Sequence, residues 1–145
     1  MLRVGFTATR KGLTPDQLDT LRYLVWQVGE YHHGDCIGGD AEIHDYVVGL
    51  KHSHIWIHPP VEPLHRAWKD TYPEKGMTVI LEPEPYLNRN HAIVNQTDLL
   101  IAFPRLAAEE LRSGTWATVR WSRKMHKPRF IVQPSGYHYP DQIRI

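Results

Sequence analysis

Short apolar runs alternate along the chain with longer segments whose apolar residues recur every three or four positions. The runs lack a clean two-residue alternation, which is typical of parallel strands buried on both faces. They lie at residues 2–6, 30–34, 54–60, 98–104 and 128–134, with a weaker edge candidate at 78–81. The segments with helical spacing lie at residues 14–29, 38–50, 85–97 and 111–124. Strands and helices therefore alternate through most of the chain.

This alternation predicts an α/β fold, a Rossmann-like three-layer sandwich with helices on both faces of a central, mostly parallel sheet of about five strands. The chain has 145 residues, which is the usual size of one domain. No repeat, low-complexity tract or linker divides it. We therefore expect one domain over residues 1–145.

Two helix starts carry recognisable caps. Thr14 is followed by Pro15 and Gln17, the arrangement of a capping box with proline at the first helical position. We expect this helix to end at Gly29. Asp40 is the predicted N-cap of the next helix.

The predicted sheet also predicts where a ligand binds, because ligands of open parallel sheets lie outside the carboxyl ends of the strands. Polar and glycine residues occupy those ends. They are Thr7 after the first strand, Gly34 and Asp35 after the second, and His58 after the third. We expect the functional residues to gather at this edge.

A glycine-rich turn, Gly34 to Gly39, follows the second strand. Glycines at Gly34, Gly38 and Gly39 let backbone N–H groups approach a ligand, and the helix behind them presents its positive dipole end. Asp35 and Asp40 are acceptors suited to sugar hydroxyls, and both are candidate general acids or bases. A tight turn with Asp40 as a cap is the alternative interpretation.

A metal site is a rival interpretation of the same stretch, which contains His32, His33 and His44. Neighbouring residues on a strand point to opposite faces, so His32 and His33 are poorly placed to share one ion. Asp40 and His44, four residues apart on a helix, are better placed. The ten histidines of the chain make chance clustering common, and we predict no metal site and no separate cofactor.

Two further segments indicate anion binding. Arg89 presents a rigid fork of donors for phosphate or carboxylate, and Asn90 follows it on the same predicted helix. Ser113, Gly114 and Thr115 place hydroxyls and free N–H groups at a helix start. Thr118, a further ligand-binding candidate, lies one turn further along.

Composition narrows the partners. There are 17 Lys and Arg against 16 Asp and Glu, so nothing draws the whole chain to nucleic acid, and we do not expect that partner. No run of about 18 apolar residues is present, and we expect a cytoplasmic protein with no membrane partner.

Five tryptophans are many for this length; Trp116 and Trp121 suggest a homodimer contact. Cys36, the single cysteine, is read as a small buried residue in preference to a nucleophile.

Taken together, the stretches GDCIGGDAEIH, HPP, YLNRNHAIV, TDLLIAFP and RSGTWATVRWSRK resemble the SLOG superfamily. This Rossmann-like group includes the Lonely Guy phosphoribohydrolases and the DNA-processing protein A domain, and the likeness is greatest to its short bacterial and phage members. It covers most of the chain from residue 32 to residue 132. The resemblance implies a nucleotide phosphate at the Gly114–Thr115 helix start, ribose near the second-strand turn, and Arg89 in place of the catalytic arginine.

The chain departs from the Lonely Guy pattern at one position. The catalytic glutamate of that family corresponds to Thr118 here. Asp35 or Asp40 would have to replace it if the chain cleaved an N-glycosidic bond, since that chemistry needs a carboxylate near the anomeric carbon. We therefore expect a nucleotide-like small molecule to be bound for sensing, with an N-glycosidic hydrolase or transferase as the alternative and single-stranded DNA binding as a weaker one.

Overall fold

The protein forms an α/β sandwich, as expected from the sequence. A computed structural model describes residues 2–26, 29–50, 53–69 and 76–142. The strands are β1 Arg3–Ala8, β2 Glu30–His33, β3 Ser53–Ile57, β4 Gly76–Ile80, β5 Leu99–Phe103, β6 Arg129–Val132 and β7 His138–Pro140. The helices are α1 Pro15–Leu24, α2 Gly39–Val47, α3 Tyr86–Asn95 and α4 Gly114–Lys124.

The described strands form one seven-stranded sheet in the order β4-β3-β2-β1-β5-β6-β7. All neighbours pair in parallel except β6 and β7, which are antiparallel. The sequence predicted about five strands. The edge candidate is confirmed as β4, and the short strand β7 was not anticipated because its three residues carry no apolar run.

The helices cover both faces of the sheet, and each face has its own core. On one face, buried residues of α1 and α2 such as Leu21 and Ile43 pack against β1 and β2. On the other, Val94 of α3 and Val119 of α4 pack against β5 and β6. The covering helices therefore change face between β1 and β5. In open sheets this change opens a crevice at the carboxyl ends of the two strands.

Helix α1 shows one confirmed prediction and one that is wrong. The Thr14 side chain accepts from the backbone N–H of Gln17 at 3.0 Å, and the Gln17 side chain accepts from the N–H of Thr14, so the capping box is present. The helix ends at Leu24 and not at Gly29. Its C-cap Val25 is extended, with φ −123°, and is buried in the core. Residues 27 and 28 of the predicted helix lie outside the described residues.

Asp40 is not the N-cap of α2. The N-cap is Gly38, whose φ of 84° suits glycine, and Asp40 lies in the first turn. Its carboxylate reaches back into the preceding loop, where Oδ2 accepts from the N–H groups of Gly34 and Cys36, each at 3.2 Å. The acidic side chain thus orders the β2–α2 turn.

Trp116 and Trp121 occupy different environments. Trp116 is only 2% exposed and belongs to the core against β5 and β6, so its side chain is occupied within the chain itself. Trp121 is partly buried and stacks on His91 with ring centroids 3.6 Å apart. A homodimer stays a prediction. In the described part of the chain, no helix is long and apolar enough to cross a bilayer.

Candidate ligand-binding cavity

A cavity of about 330 Å³ opens at the carboxyl ends of the central strands. This volume lies within the usual range of small-molecule sites, roughly 300–1,000 Å³. Its wall is formed by the loop after β1, the turn after β2, one face of α3, the loop after β5 and the start of α4. The predicted site residues on it are Thr7, Gly34, Asp40, Arg89, Asn90, Ser113, Gly114 and Thr115.

The topology explains why residues so distant in sequence meet here. Strand β1 pairs with β2 on one side and β5 on the other, and Ala8 stands beside Phe103 at the end of the β1–β5 ladder. The N–H of Thr9 continues this pairing by donating to the carbonyl of Phe103 at 3.0 Å. The loops that follow the two strands therefore run side by side at the change of face. Thr7 is itself part of β1, so the first strand is longer than predicted.

Arg89 forms the floor of the cavity and is only 5% exposed. Its Nη1 donates to the carbonyl of Gly34 and, at 3.3 Å, to that of His58. Nε donates to the side chain of Asn90 at 2.7 Å, and Nη2 lies 3.6 Å from the sulfur of Cys36. The guanidinium therefore ties α3 to the ends of β2 and β3.

The need for glycine at residue 34 follows from this packing. A Cβ on Gly34 would lie 2.4 Å from Nη1 of Arg89, closer than side-chain carbons approach. The turn thus uses glycine to admit the guanidinium, and Gly34 lines the cavity as a consequence.

The charge of Arg89 is the unusual feature of the floor. No carboxylate oxygen lies within 4.0 Å of its nitrogens among the described residues; the acceptors it contacts are carbonyls, an amide and a thiol. Buried charges are normally paired, because removing an ion from water is costly. A ligand anion in the cavity would supply the missing partner.

Asp40 is the second buried charged group of the wall, 5% exposed. Its Oδ1 has no hydrogen-bond partner among the described residues. Burial raises the pKa of Asp40 to about 6, against the opposing effects of the Arg89 guanidinium and the N–H groups of Cys36 and Gly34. Near neutral pH this carboxyl exchanges a proton readily, which suits a general acid or base.

The start of α4 faces the cavity as the sequence predicted. Ser113 is the N-cap, and its hydroxyl accepts from the N–H of Trp116 at 3.2 Å. The N–H groups of Gly114 and Thr115 make no hydrogen bond within the described residues. A Cβ added to Gly114 would meet nothing within 4 Å, so this glycine borders open space. Free N–H groups at a helix start attract anions.

Four predicted site residues are not brought to the cavity. Asp35 is fully buried, and its carboxylate accepts from Nε of Arg66 at 3.0 Å and from the N–H of Lys69 at 2.9 Å. It anchors the loop after β3 instead of facing a ligand. Thr118 is also buried, and its hydroxyl donates to the carbonyl of Gly114 inside the helix at 2.9 Å.

Gly38 and Gly39 are needed for close packing. A Cβ on Gly38 would lie 2.3 Å from the carbonyl oxygen of Arg10, and one on Gly39 would lie 2.4 Å from Cβ of Ala8. These two glycines let the β2–α2 turn pack against the end of β1. They shape the cavity from behind without lining it.

The basic residues of the rim were not among the site residues predicted from the sequence. Arg10 and Lys11 follow β1, and Arg105 and Arg112 lie between β5 and α4. Glu110 is on the same wall and pairs with Arg105 at 2.6 Å. These residues could have been identified from the sequence, since each of these loops follows a strand at the predicted ligand edge and carries two cations.

Four histidines form two pairs in the interior. Nδ1 of His32 lies 2.7 Å from Nε2 of His58 on one side of β2, and Nε2 of His33 lies 2.9 Å from Nδ1 of His44 on the other. Burial lowers the pKa of His32 to about 4 and that of His58 to about 3. Among the described residues, no three His, Cys, Asp or Glu side chains are grouped to hold a metal ion.

Cys36 lies on the cavity wall and is 7% exposed. Burial is the main cause that raises the pKa of its thiol, and the charge of Asp40 adds to it. The thiol is therefore held in its protonated form, which is a poor nucleophile.

Comparison with known proteins does not assign the chain to a family. No protein-family model matches the sequence, and no curated protein is significantly similar to it.

Proposed function

We propose that the chain binds a nucleotide or a nucleotide-derived phosphorylated small molecule in this cavity, as a ligand-binding or sensing module. The observation that carries the proposal is Arg89, a buried guanidinium on the cavity floor with no carboxylate at ion-pair distance in the described residues. A phosphate in the cavity would compensate its charge through charge-assisted hydrogen bonds.

The start of α4, which lines the same cavity, supports the same ligand. The N–H groups of Gly114 and Thr115 are available, and the dipole of an eleven-residue helix adds partial positive charge there. Two independent anion-binding features thus border one cavity. Each alone would be weak support for a phosphate.

Asp40 indicates that the ligand also carries hydrogen-bond donors. Its Oδ1 is buried without a partner in the described residues, and a buried acceptor left unsatisfied costs roughly 1–3 kcal/mol. A sugar hydroxyl would satisfy it. A phosphate paired with Arg89 and a sugar close to Asp40 is the arrangement expected for a nucleotide.

A thermal-shift screen tests the proposal. We expect nucleotides to raise the midpoint of unfolding, since a ligand at 100 times its dissociation constant stabilises a protein by about 2.7 kcal/mol. The matching nucleosides should have a much smaller effect at the same concentration. If no phosphorylated nucleoside stabilises the protein at millimolar concentration, the proposal fails.

Hydrolysis of an N-glycosidic bond is the second candidate, and Asp40 is the observation that favours it. A carboxyl with a pKa of about 6 on the cavity wall can act as the acid or base that Thr118, bonded inside α4, does not supply. We expect Asp40→Asn to abolish release of free base from nucleoside monophosphates, assayed by chromatography, while nucleotide binding is retained. A wild-type protein that binds nucleotides but releases no base would leave only the binding function.

A further inference from the structure

The rim of the cavity carries more positive charge than one phosphate group needs. Arg10 and Lys11 approach from the loop after β1, and Arg105 and Arg112 from the loop between β5 and α4. These loops run side by side because β1 and β5 are neighbours in the sheet. Together with Arg89, they surround the cavity with five cationic side chains.

The charges of the chain are distributed unevenly. Among the described residues, five Lys and Arg line the cavity, but only two Asp and Glu do, namely Asp40 and Glu110. This described lining therefore has a formal excess of three positive charges, whereas the whole chain has a formal net charge of only +1. A phosphate monoester has a charge of about −1.5 to −2 at pH 7. A single phosphate would leave part of this excess without a partner.

Most of the rim cations have no partner among the described residues. Arg105 is paired with Glu110. The side chains of Arg10, Lys11 and Arg112 make no hydrogen bond or ion pair in the part of the chain that the structure describes. They are also exposed, so their charges are free to meet an anion at the mouth of the cavity.

The burial of these groups divides the cationic lining into two levels. The inner level has the buried guanidinium of Arg89, and the free N–H groups of Gly114 and Thr115 belong to the same lining. The outer level has Arg10 and Lys11 on one side and Arg112 on the other. Arg112 immediately precedes the N-cap of α4 in sequence, so the two levels are contiguous along that wall.

Building on the proposed function, we propose that the cavity recognises a pyrophosphate group, with one phosphate at the Arg89–α4 level and the adjoining phosphate between Arg10, Lys11 and Arg112. The ligand class is then a nucleoside diphosphate or a dinucleotide joined through pyrophosphate. A nucleoside monophosphate fills only the inner level.

Calorimetry without divalent cations, at low ionic strength, tests this proposal with probes that do not depend on the base. Orthophosphate is compared with pyrophosphate, and AMP with ADP and diadenosine pyrophosphate. We expect pyrophosphate and ADP to bind about 10-fold or more tightly than orthophosphate and AMP, the gain expected from additional charge-assisted contacts. ADP favoured over diadenosine pyrophosphate would indicate a terminal diphosphate, and the reverse order an internal one.

A matched pair of double variants locates the second phosphate. Arg10→Gln with Arg112→Gln should reduce the preference for pyrophosphate over orthophosphate to less than about 3-fold, with orthophosphate affinity changing little. Arg22→Gln with Lys124→Gln removes the same net charge away from the cavity and should keep the preference.

Two other results would separate a failure of the pyrophosphate inference from a failure of the proposed function. Equal affinity for AMP and ADP, or equal losses for both in the Arg10 and Arg112 variant, would overturn the pyrophosphate inference and leave the proposed nucleotide binding intact. If neither orthophosphate, pyrophosphate nor any of the nucleotides binds the folded protein, the proposed function itself fails, and the inference fails with it.

Discussion

Replacing Arg89 with methionine is expected to weaken the binding of a nucleotide by roughly 10- to 100-fold, while the binding of the corresponding nucleoside changes much less. The reason is the loss of a charge-assisted contact to phosphate, which is commonly worth about 1.5–3 kcal/mol. Arg89 is buried on the cavity floor without a carboxylate at ion-pair distance among the described residues, so the proposed phosphate would pair with its charge. Calorimetric titration with both ligands measures the difference.

The structural role of Arg89 has to be separated from this binding role. The guanidinium also donates to the carbonyls of Gly34 and His58, so Arg89→Met should lower the melting temperature as well. Arg89→Lys keeps the charge but loses the fork, and it should bind the nucleotide with intermediate affinity. Arg22→Met, on the exposed surface of α1, is the control and should change neither affinity. Equal losses for nucleotide and nucleoside would place the phosphate elsewhere.

The fold could be predicted from the sequence because its main signals are local. The capping box at Thr14 and Gln17 is a pattern of neighbouring residues, and the apolar runs of β1 and β5 mark strands by composition alone. The end of α1 was harder to predict from the sequence. Gly29 is a strong local stop signal, but burial of Val25 in the core ends the helix earlier, and burial is decided by tertiary packing.

The part of the candidate site that depends on backbone geometry could be predicted from the sequence. The part that depends on the direction of the side chains could not. The open N–H groups at Gly114 and Thr115 follow from any helix that starts at Ser113. Asp35 and Asp40 look equivalent in sequence, yet only Asp40 reaches the cavity. Asp35 has a φ of 56° and is held by Arg66, a residue 31 positions away. A contact of that range leaves no local pattern.

The second prediction with a large expected effect concerns Asp40→Asn and the pH dependence of stability. Burial raises the folded-state pKa of Asp40 to about 6, above its unfolded value near 3.8. The folded state therefore favours the neutral carboxyl, and stability from this group is full below the unfolded pKa and lost as the pH rises through about 6. The shift of about two units corresponds to roughly 3 kcal/mol, nearly all of it lost by pH 7.5.

Asparagine at position 40 removes this titration. Urea unfolding at pH 5 and pH 7.5 should show the variant gaining stability relative to wild type by roughly 1–2 kcal/mol between the two pH values. Comparing the two values cancels any pH-independent change, such as an unpaired amide N–H. Referring the variant to wild type at each pH cancels the effect of the buried His32 and His58, whose lowered pKa values make both proteins less stable as the pH falls below about 6.5. Asp19→Asn, on the exposed side of α1, is the matched surface control.

The pH dependence of this stability difference also tests the proposed role of Asp40 in the cavity. If stability relative to wild type were the same at both pH values, Asp40 would titrate normally, and its use as an acid or base near neutral pH would lose its physical basis. A nucleotide whose sugar hydroxyl donates a hydrogen bond to the ionised Asp40 should lower the pKa of Asp40, because this hydrogen bond stabilises the charged form. Saturating nucleotide should therefore shrink the pH-dependent difference between Asp40→Asn and wild type. An unchanged difference would place the sugar away from Asp40 while leaving the phosphate site at Arg89 in place.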